Sequence, residues 1–223
     1  MDKIAVISDI HGNIPALESV LQDIKLRGVE RIICLGDLVG KGPHSSEVIE
    51  IIRKECEGVV MGNWDDFITK PTEFEALKWH QKQLSEEQND YLRSLPFSIE
   101  FFMSGKLIRM FENSELTENI EGERKPDVVC YGDVHQAFVQ NFRGKTLCNA
   151  GSVGNPLEIT QASYLIFEGT YNEKEAASFS IQLVRVPYDI ELAIRLAEEL
   201  EMPEIEEYKQ ELRTALYRGF KGK

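Results

Sequence analysis

Between Lys3 and Met61 the chain alternates between two hydrophobic periods, and this alternation limits its folds more than any other feature. Lys3 to Ile7, Arg31 to Leu35 and Gly58 to Met61 are short apolar runs of the kind found in buried strands. Between them Leu17, Val20, Leu21 and Ile24 recur at helical spacing, as do Val48, Ile51 and Ile52. Asn13 stands where an N-cap would accept from the first helix, and Ser45 or Ser46 is expected to cap the second. Strand, helix, strand, helix, strand predicts a parallel sheet with covering helices.

The middle of the chain changes character. Residues 72–95 read as a helical excursion over one rim, with Ser85-Glu86-Glu87-Gln88 matching a capping box and Pro96 ending the second helix. Strand-type runs follow at 97–103, 106–111, 127–131, 138–142, 146–150, 163–168 and 178–186. Several connections are too short for crossovers, so antiparallel pairing is expected there. Two helices close the chain. Leu192, Leu196 and Leu200 share a face of the first, while Pro203 precedes the second and its stripe of Ile205, Tyr208, Leu212 and Leu216. With no internal repeat or linker, residues 1–223 are read as a single α/β domain ending in a loose tail at 219–223.

Composition narrows the function. The 223 residues are 42% hydrophobic and 28% charged, with a formal net charge of −13. An acidic balance argues against a large nucleic-acid surface or an anionic membrane, both of which need basic patches. It leaves room for a small phosphate substrate, because bound metal ions can reverse the local sign. The start lacks a secretory signal pattern, and no apolar run approaches the ~20 residues of a spanning helix. The four cysteines, Cys34, Cys56, Cys130 and Cys148, are widely spaced and read as free thiols, so a cytoplasmic protein is expected.

The chemistry collects where strands end. Asp9 and His11 follow the first strand, Asp37 the second, Asn63 and Asp65 the third, and Asp133 and His135 a later one. Ligands of open α/β sheets bind beyond the carboxyl ends of strands, so these clusters can converge on one spot. Carboxylates and imidazoles suit manganese, iron and zinc. Each cluster alone is weak, since an aspartate after a strand is more often a cap or turn former. Their order and spacing together reverse that judgement. No phosphate-cradling Gly-x-x-x-x-Gly-Lys-Ser/Thr run, nucleophile elbow or dinucleotide fingerprint competes with them.

Asp9-x-His11, Gly36-Asp37-x-x-Gly40, Gly62-Asn63-x-Asp65 and Gly132-x-x-His135 resemble the motifs of the calcineurin-like metallophosphoesterases. Asn149-Ala150-Gly151-Ser152-Val153-Gly154-Asn155-Pro156 resembles the turn after the last metal motif in their small bacterial branch. The resemblance implies a four-layer αββα sandwich of two mixed sheets flanked by helices. It implies two divalent or trivalent metal ions, manganese or iron foremost, with zinc or magnesium as alternatives. Asp9, His11, Asp37 and His135 would hold the first metal; Asp37 would bridge to a second, also bound by Asn63. The expected activity is hydrolysis of a phosphomonoester or phosphodiester, including nucleotides, by a metal-bridging hydroxide. Asp37, Asn63 and Asp65 are the expected catalytic group, Asp65 orienting its neighbours.

The sequence departs from the family at three places. Two further histidines normally complete the second site; here Asp133 and Glu112 stand in their places. Oxygen ligands in both would make that site harder and favour manganese or magnesium. Trp64 replaces a histidine found in many relatives and reads as a packing or rim residue rather than a base-stacking one. His44, with Asn63, is a candidate substrate contact. The rival expectation is a weakly active or inactive member that binds phosphate or nucleotide as a sensor or interaction module. The resemblance says nothing of oligomeric state.

Overall fold

The structure is a computed structural model that describes residues 1–113 and 125–219. The expected tail lies outside the described residues except for Gly219.

The N-terminal alternation folds as expected. β1 (Asp2–Ile7) and β2 (Arg31–Cys34) pair in parallel, flanking α1 (Ile14–Leu26), and β3 (Gly58–Val59) joins β2 after α2 (Ser45–Glu55). Three short helices follow: α3 (Asn63–Ile68), α4 (Glu75–Gln81) and α5 (Glu86–Ser94). The last two are the excursion, and Ser85 and Gln88 form the expected capping box. α3 was not foreseen, because it is less than two turns long and its Asn63-Trp64-Asp65-Asp66 start carries no apolar period. The strand-type runs become β4 (Ser98–Met103), β5 (Lys106–Phe111), β6 (Val128–Tyr131), β7 (Phe138–Phe142), β8 (Lys145–Asn149), β9 (Ala162–Gly169) and β10 (Ser180–Val186). α6 (Ile190–Glu199) and α7 (Ile205–Thr214) close the chain.

The strands form two mixed five-stranded sheets, ordered β10-β9-β1-β2-β3 and β4-β5-β6-β8-β7. Hairpin-connected neighbours β4–β5, β7–β8 and β9–β10 are antiparallel, as their short connections require. The two-residue side-chain period divides the core. Ile4, Val6, Ile33 and Leu35 face the space between the sheets with Met110, Cys130 and Phe167. Ala5, Ile7, Ile32 and Cys34 face the opposite way, onto Leu17, Val20, Val48 and Ile52 of the helices. The result is the α/β sandwich of the sequence analysis, with the parallel strand ends of both sheets on one rim.

Local expectations fail where a tertiary contact takes the residue. Ser45 begins α2 instead of capping it: His44 is the N-cap, and Ser45 Oγ accepts from Gly40 N–H at 3.2 Å. Ser46 Oγ bonds Gln88. In α6 the leucine face is not the buried one. Ala193, Ile194 and Ala197 turn inward, while Leu192 and Leu200 are exposed. Small alanines let α6 approach α1 and α7 closely, which the leucines would prevent. Leu216 lies beyond α7 and is exposed. All four cysteines are free.

Candidate metal centre

The rim carries loops from both sheets, stitched together by their backbones. Asp9, His11 and Gly12 donate N–H bonds to Gly36, Asp37 and Leu38, binding the loop after β1 to the loop after β2. Val153 and Gly154 donate to Ser8 and Asp9, bringing in the turn after β8. Asp65 fixes a third loop. Its carboxylate accepts from Leu38 N–H at 2.9 Å and Gly62 N–H at 3.0 Å, and Asp37 Oδ1 accepts from Trp64 N–H at 2.8 Å. The loops touch so closely that a Cβ on Gly62 would stand 2.2 Å from the Asp37 backbone nitrogen. Only glycine fits there.

Asp9, His11 and His135 converge. Their ligand-type atoms lie within 4.8 Å of one another, as do those of Asp9, Asp37 and Glu112. The two histidine rings are held from behind. His11 Nδ1 donates to the Val39 carbonyl at 3.0 Å, and His135 Nδ1 to the Asn155 carbonyl at 2.5 Å. A carbonyl can only accept, so Nδ1 of each ring carries a proton and Nε2 is the nitrogen turned towards the centre. Those two Nε2 atoms face each other at 3.2 Å, and His135 Nε2 lies 3.1 Å from Asp9 Oδ1. Acceptor atoms so placed favour a cation among them, and the Lys41 ammonium reaches only the edge, at His135 Nε2. Among the described residues, both oxygens of buried Asp9, Asn63 Oδ1 and Glu112 Oε1 also have no hydrogen-bond partner. Buried acceptors without partners are costly. The donor set therefore fits metal ions: two imidazoles and a carboxylate on one side, and Asp9, Asp37, Asn63 and Glu112 oxygens on the other.

Asp133 is placed differently from the rest. It belongs to neither cluster; its Oδ1 accepts from Asn63 Nδ2 at 3.0 Å and Asn113 Nδ2 at 3.3 Å. With its amide nitrogen so held, Asn63 keeps an Oδ1 without a partner among the described residues. Glu112 Oε2 accepts from Asn63 N–H at 3.1 Å. His44 is not brought in. It is not among the residues lining the cavity of about 660 Å³ over this centre, whereas Lys41, from the same loop, is.

The crowding of carboxylates governs their protonation. Burial first, then Asp37, Asp9 and Asp133, pushes Glu112 up to about 11. Burial followed by Asp9 and Asp65 holds Asp37 well above the usual carboxylate range. Burial and then Asp9 raise Asp133. Asp65 is lifted by burial to about 6, with its backbone donors pulling the other way. Burial, then Lys41 and His135, keeps His11 neutral.

Lys41, Asn149 and Asn155 escaped the sequence reading. Lys41 Nζ lies 3.2 Å from Asn155 Oδ1 and 3.4 Å from His135 Nε2, a cation at the edge of the centre. Asn149 Nδ2 donates to Gly132 O, and Ser152 Oγ donates to Asp9 O at 2.7 Å. Asparagines and serines in a turn look alike in sequence whether they hold a loop or a functional side chain. The Asn149–Pro156 stretch was the only signal.

Comparison with known proteins agrees with this geometry. Residues 2–171 match the model of the calcineurin-like phosphoesterase superfamily domain. The uncharacterized protein MJ0912 of Methanocaldococcus jannaschii is 37% identical over 238 residues, covering 90% of this chain and 94% of that protein. The phosphodiesterase YfcE of Escherichia coli strain K12 is 28% identical, over 74% of this chain and 86% of its own. In fold, a metallophosphoesterase from Sphaerobacter thermophilus superposes with a TM-score of 0.77 over 96% of this chain and 100% of that one, at 24% identity. The domain match over most of its length shows that this chain belongs to the calcineurin-like phosphoesterase superfamily.

Proposed function

We propose that the chain is a dinuclear metal-dependent phosphoesterase acting on a small phosphomonoester or phosphodiester. The observation that carries this reading is the convergence of His11 Nε2 and His135 Nε2, 3.2 Å apart, on the Asp9 carboxylate, whose oxygens have no hydrogen-bond partner among the described residues. Asp9, His11 and His135 would hold one metal, Asn63 and Glu112 the other, and Asp37 would be shared. Manganese or iron suits this mixture of imidazole and carboxylate. Bound, the metals would supply a water activated near neutral pH and positive charge for the phosphoryl oxygens.

The remaining residues position and neutralise. Asp133 holds the Asn63 amide with its oxygen free. Asp65 locks the loops that carry Asp37 and Asn63. Lys41 offers a second, protein-borne cation to a substrate phosphate over the same cavity. No histidine occupies the Trp64 position, so good leaving groups are expected to react best. The reading includes a reducing, cytoplasmic setting, in which four free cysteines are stable.

The test joins metal analysis to turnover. The purified chain should take up more than one metal under excess manganese and hydrolyse p-nitrophenyl phosphate or its bis ester. Asp37→Asn should remove most of that turnover. A constant single metal, or unchanged turnover in the variant, would refute the shared-ligand role. Histidine at both Glu112 and Asp133 is the second arm: a large gain in rate would mean that the natural site binds rather than turns over.

A further inference from the structure

We propose that the apolar cavity beside the metal centre is a nucleobase pocket, so that the ester taken by this site is a nucleotide. The inference rests on the phosphoesterase reading and adds the class of substrate.

The cavity has a volume of about 330 Å³, within the range of small-molecule sites. Trp64, Phe67, Phe74, Leu77 and His80 supply its walls, from α3 and the segment containing α4. Lys41, Trp64 and Phe67 also line the larger cavity over the candidate metal centre, so the two cavities adjoin. A ligand can therefore hold its phosphate among the metal-site residues and its other end among aromatic rings. Trp64 is the hinge between them, its ring set edge-on to His11 at 5.8 Å between centroids.

Two observations choose the occupant. The first is exposure. Phe74 is 78% exposed and Phe67 51%, although both stand in one apolar recess. Single exposed apolar residues are ordinary, but aromatic side chains sharing a concave wall next to a reactive centre mark a binding surface. The second is His80. It is only 4% exposed, and its Nδ1 has no hydrogen-bond partner among the described residues. Burial and the nearby Arg218 hold its pKa down to about 4, so the ring is neutral and offers one donor and one acceptor. A buried polar atom without a partner is a cost that a hydrogen-bonding ligand would relieve. An alkyl group would leave His80 unpaired, and a bare sugar would leave the aromatic rings in water. A nucleobase has two apolar faces for the rings and a polar edge for the imidazole.

Equilibrium titration followed by tryptophan fluorescence tests this, with adenosine, AMP, ribose 5-phosphate and phenyl phosphate as probes, with manganese and with chelator. AMP is expected to bind at least about tenfold more tightly than ribose 5-phosphate, the effect of stacking one base. Phe74→Ala, at an exposed position that the fold does not need, should narrow that gap by about tenfold and weaken adenosine equally. Equal affinity for AMP and ribose 5-phosphate, or an unaltered gap in Phe74→Ala, would overturn the pocket. Phenyl phosphate binding as tightly as AMP would overturn the role of the polar edge. The two readings fail separately. Hydrolysis of esters with no adenosine binding removes the pocket alone. Adenosine binding lost in Phe74→Ala, with no ester hydrolysed, keeps the pocket and removes the catalytic assignment.

Discussion

Replacing Glu112 by glutamine should make the metal-free protein more stable, by an amount that depends on pH. Glu112 is fully buried beside Asp9 and Asp37, and the surroundings push its carboxyl from 4.5 up to about 11. Without metal the folded chain therefore keeps this group protonated at neutral pH, whereas the unfolded chain ionises it near its ordinary value. The folded state then binds the extra proton, so stability falls as pH rises above about 4.5 and continues to fall towards about 11. One proton corresponds to about 1.4 kcal/mol per pH unit, or about 4 kcal/mol between about pH 5 and about pH 8. Glutamine has the shape of the protonated acid, can still accept from Asn63 N–H and cannot ionise. In chelator, Glu112→Gln should come close to the wild type near pH 5 and exceed it by about 4 kcal/mol near pH 8. Urea unfolding at a series of pH values measures the difference. With manganese the order should reverse, since the variant would lack a carboxylate for the proposed second metal. A difference that stays flat across the pH range would mean that Glu112 is ionised in the folded chain, and the crowding argument would fall.

Asp65→Ala would strand the N–H groups of Leu38 and Gly62 without acceptors, at about 1–3 kcal/mol each. Urea unfolding should show a loss of about 4 kcal/mol, and Asp65→Asn, which keeps one acceptor, a smaller one. Gly62→Ala would drive a methyl group into the Asp37 backbone nitrogen and Oδ1, each 2.2 Å away. Manganese uptake and turnover should both fall while the far-UV circular dichroism is retained. His44→Ala should leave KM for p-nitrophenyl phosphate unchanged, because His44 does not line the cavity over the centre.

What could be read in advance followed from period and order. Two-residue and helical periods located the strands of both sheets and the N-cap at Asn13, whose Oδ1 accepts from Ala16 N–H at 3.2 Å. The strand-end clusters named Asp9, His11, Asp37, Asn63 and His135, which the fold brings to one rim, because ligand chemistry needs particular side chains and those are visible letters. The residues that arrange them were harder to see. Asp133 and Glu112 look equivalent in sequence, yet one lies among the buried carboxylates and the other grips the Asn63 amide. That division depends on where a loop turns. His44 and Lys41 share one loop, and only the path of that loop puts the lysine over the centre. Serine caps and leucine stripes failed for a related reason. Ser45 and Ser46 found partners across the fold, and the alanines of α6 were worth more at a close helix contact than the leucines.

The backbone of the centre explains how its side chains are held in place. Asp9, His11, Asp37, Lys41, Asp133 and His135 all have positive φ, between 47° and 67°. Left-handed conformations are tolerated by aspartate and histidine better than by most residues, but each still costs on the order of 1–3 kcal/mol. Carboxylate crowding adds to that cost. Such strain survives only where the surroundings over-determine it. Here they do: the bonds of Asp9, His11 and Gly12 to the β2 loop, of Val153 and Gly154 to the β1 loop, and of Asp65 to two loops leave the site residues few alternatives. The backbone bonds between loops therefore fix the course of the rim. Chelation of the proposed metals should lower the stability of the protein while leaving the rim nearly unchanged, because the bonds that bend these loops belong to the backbone ladder between them.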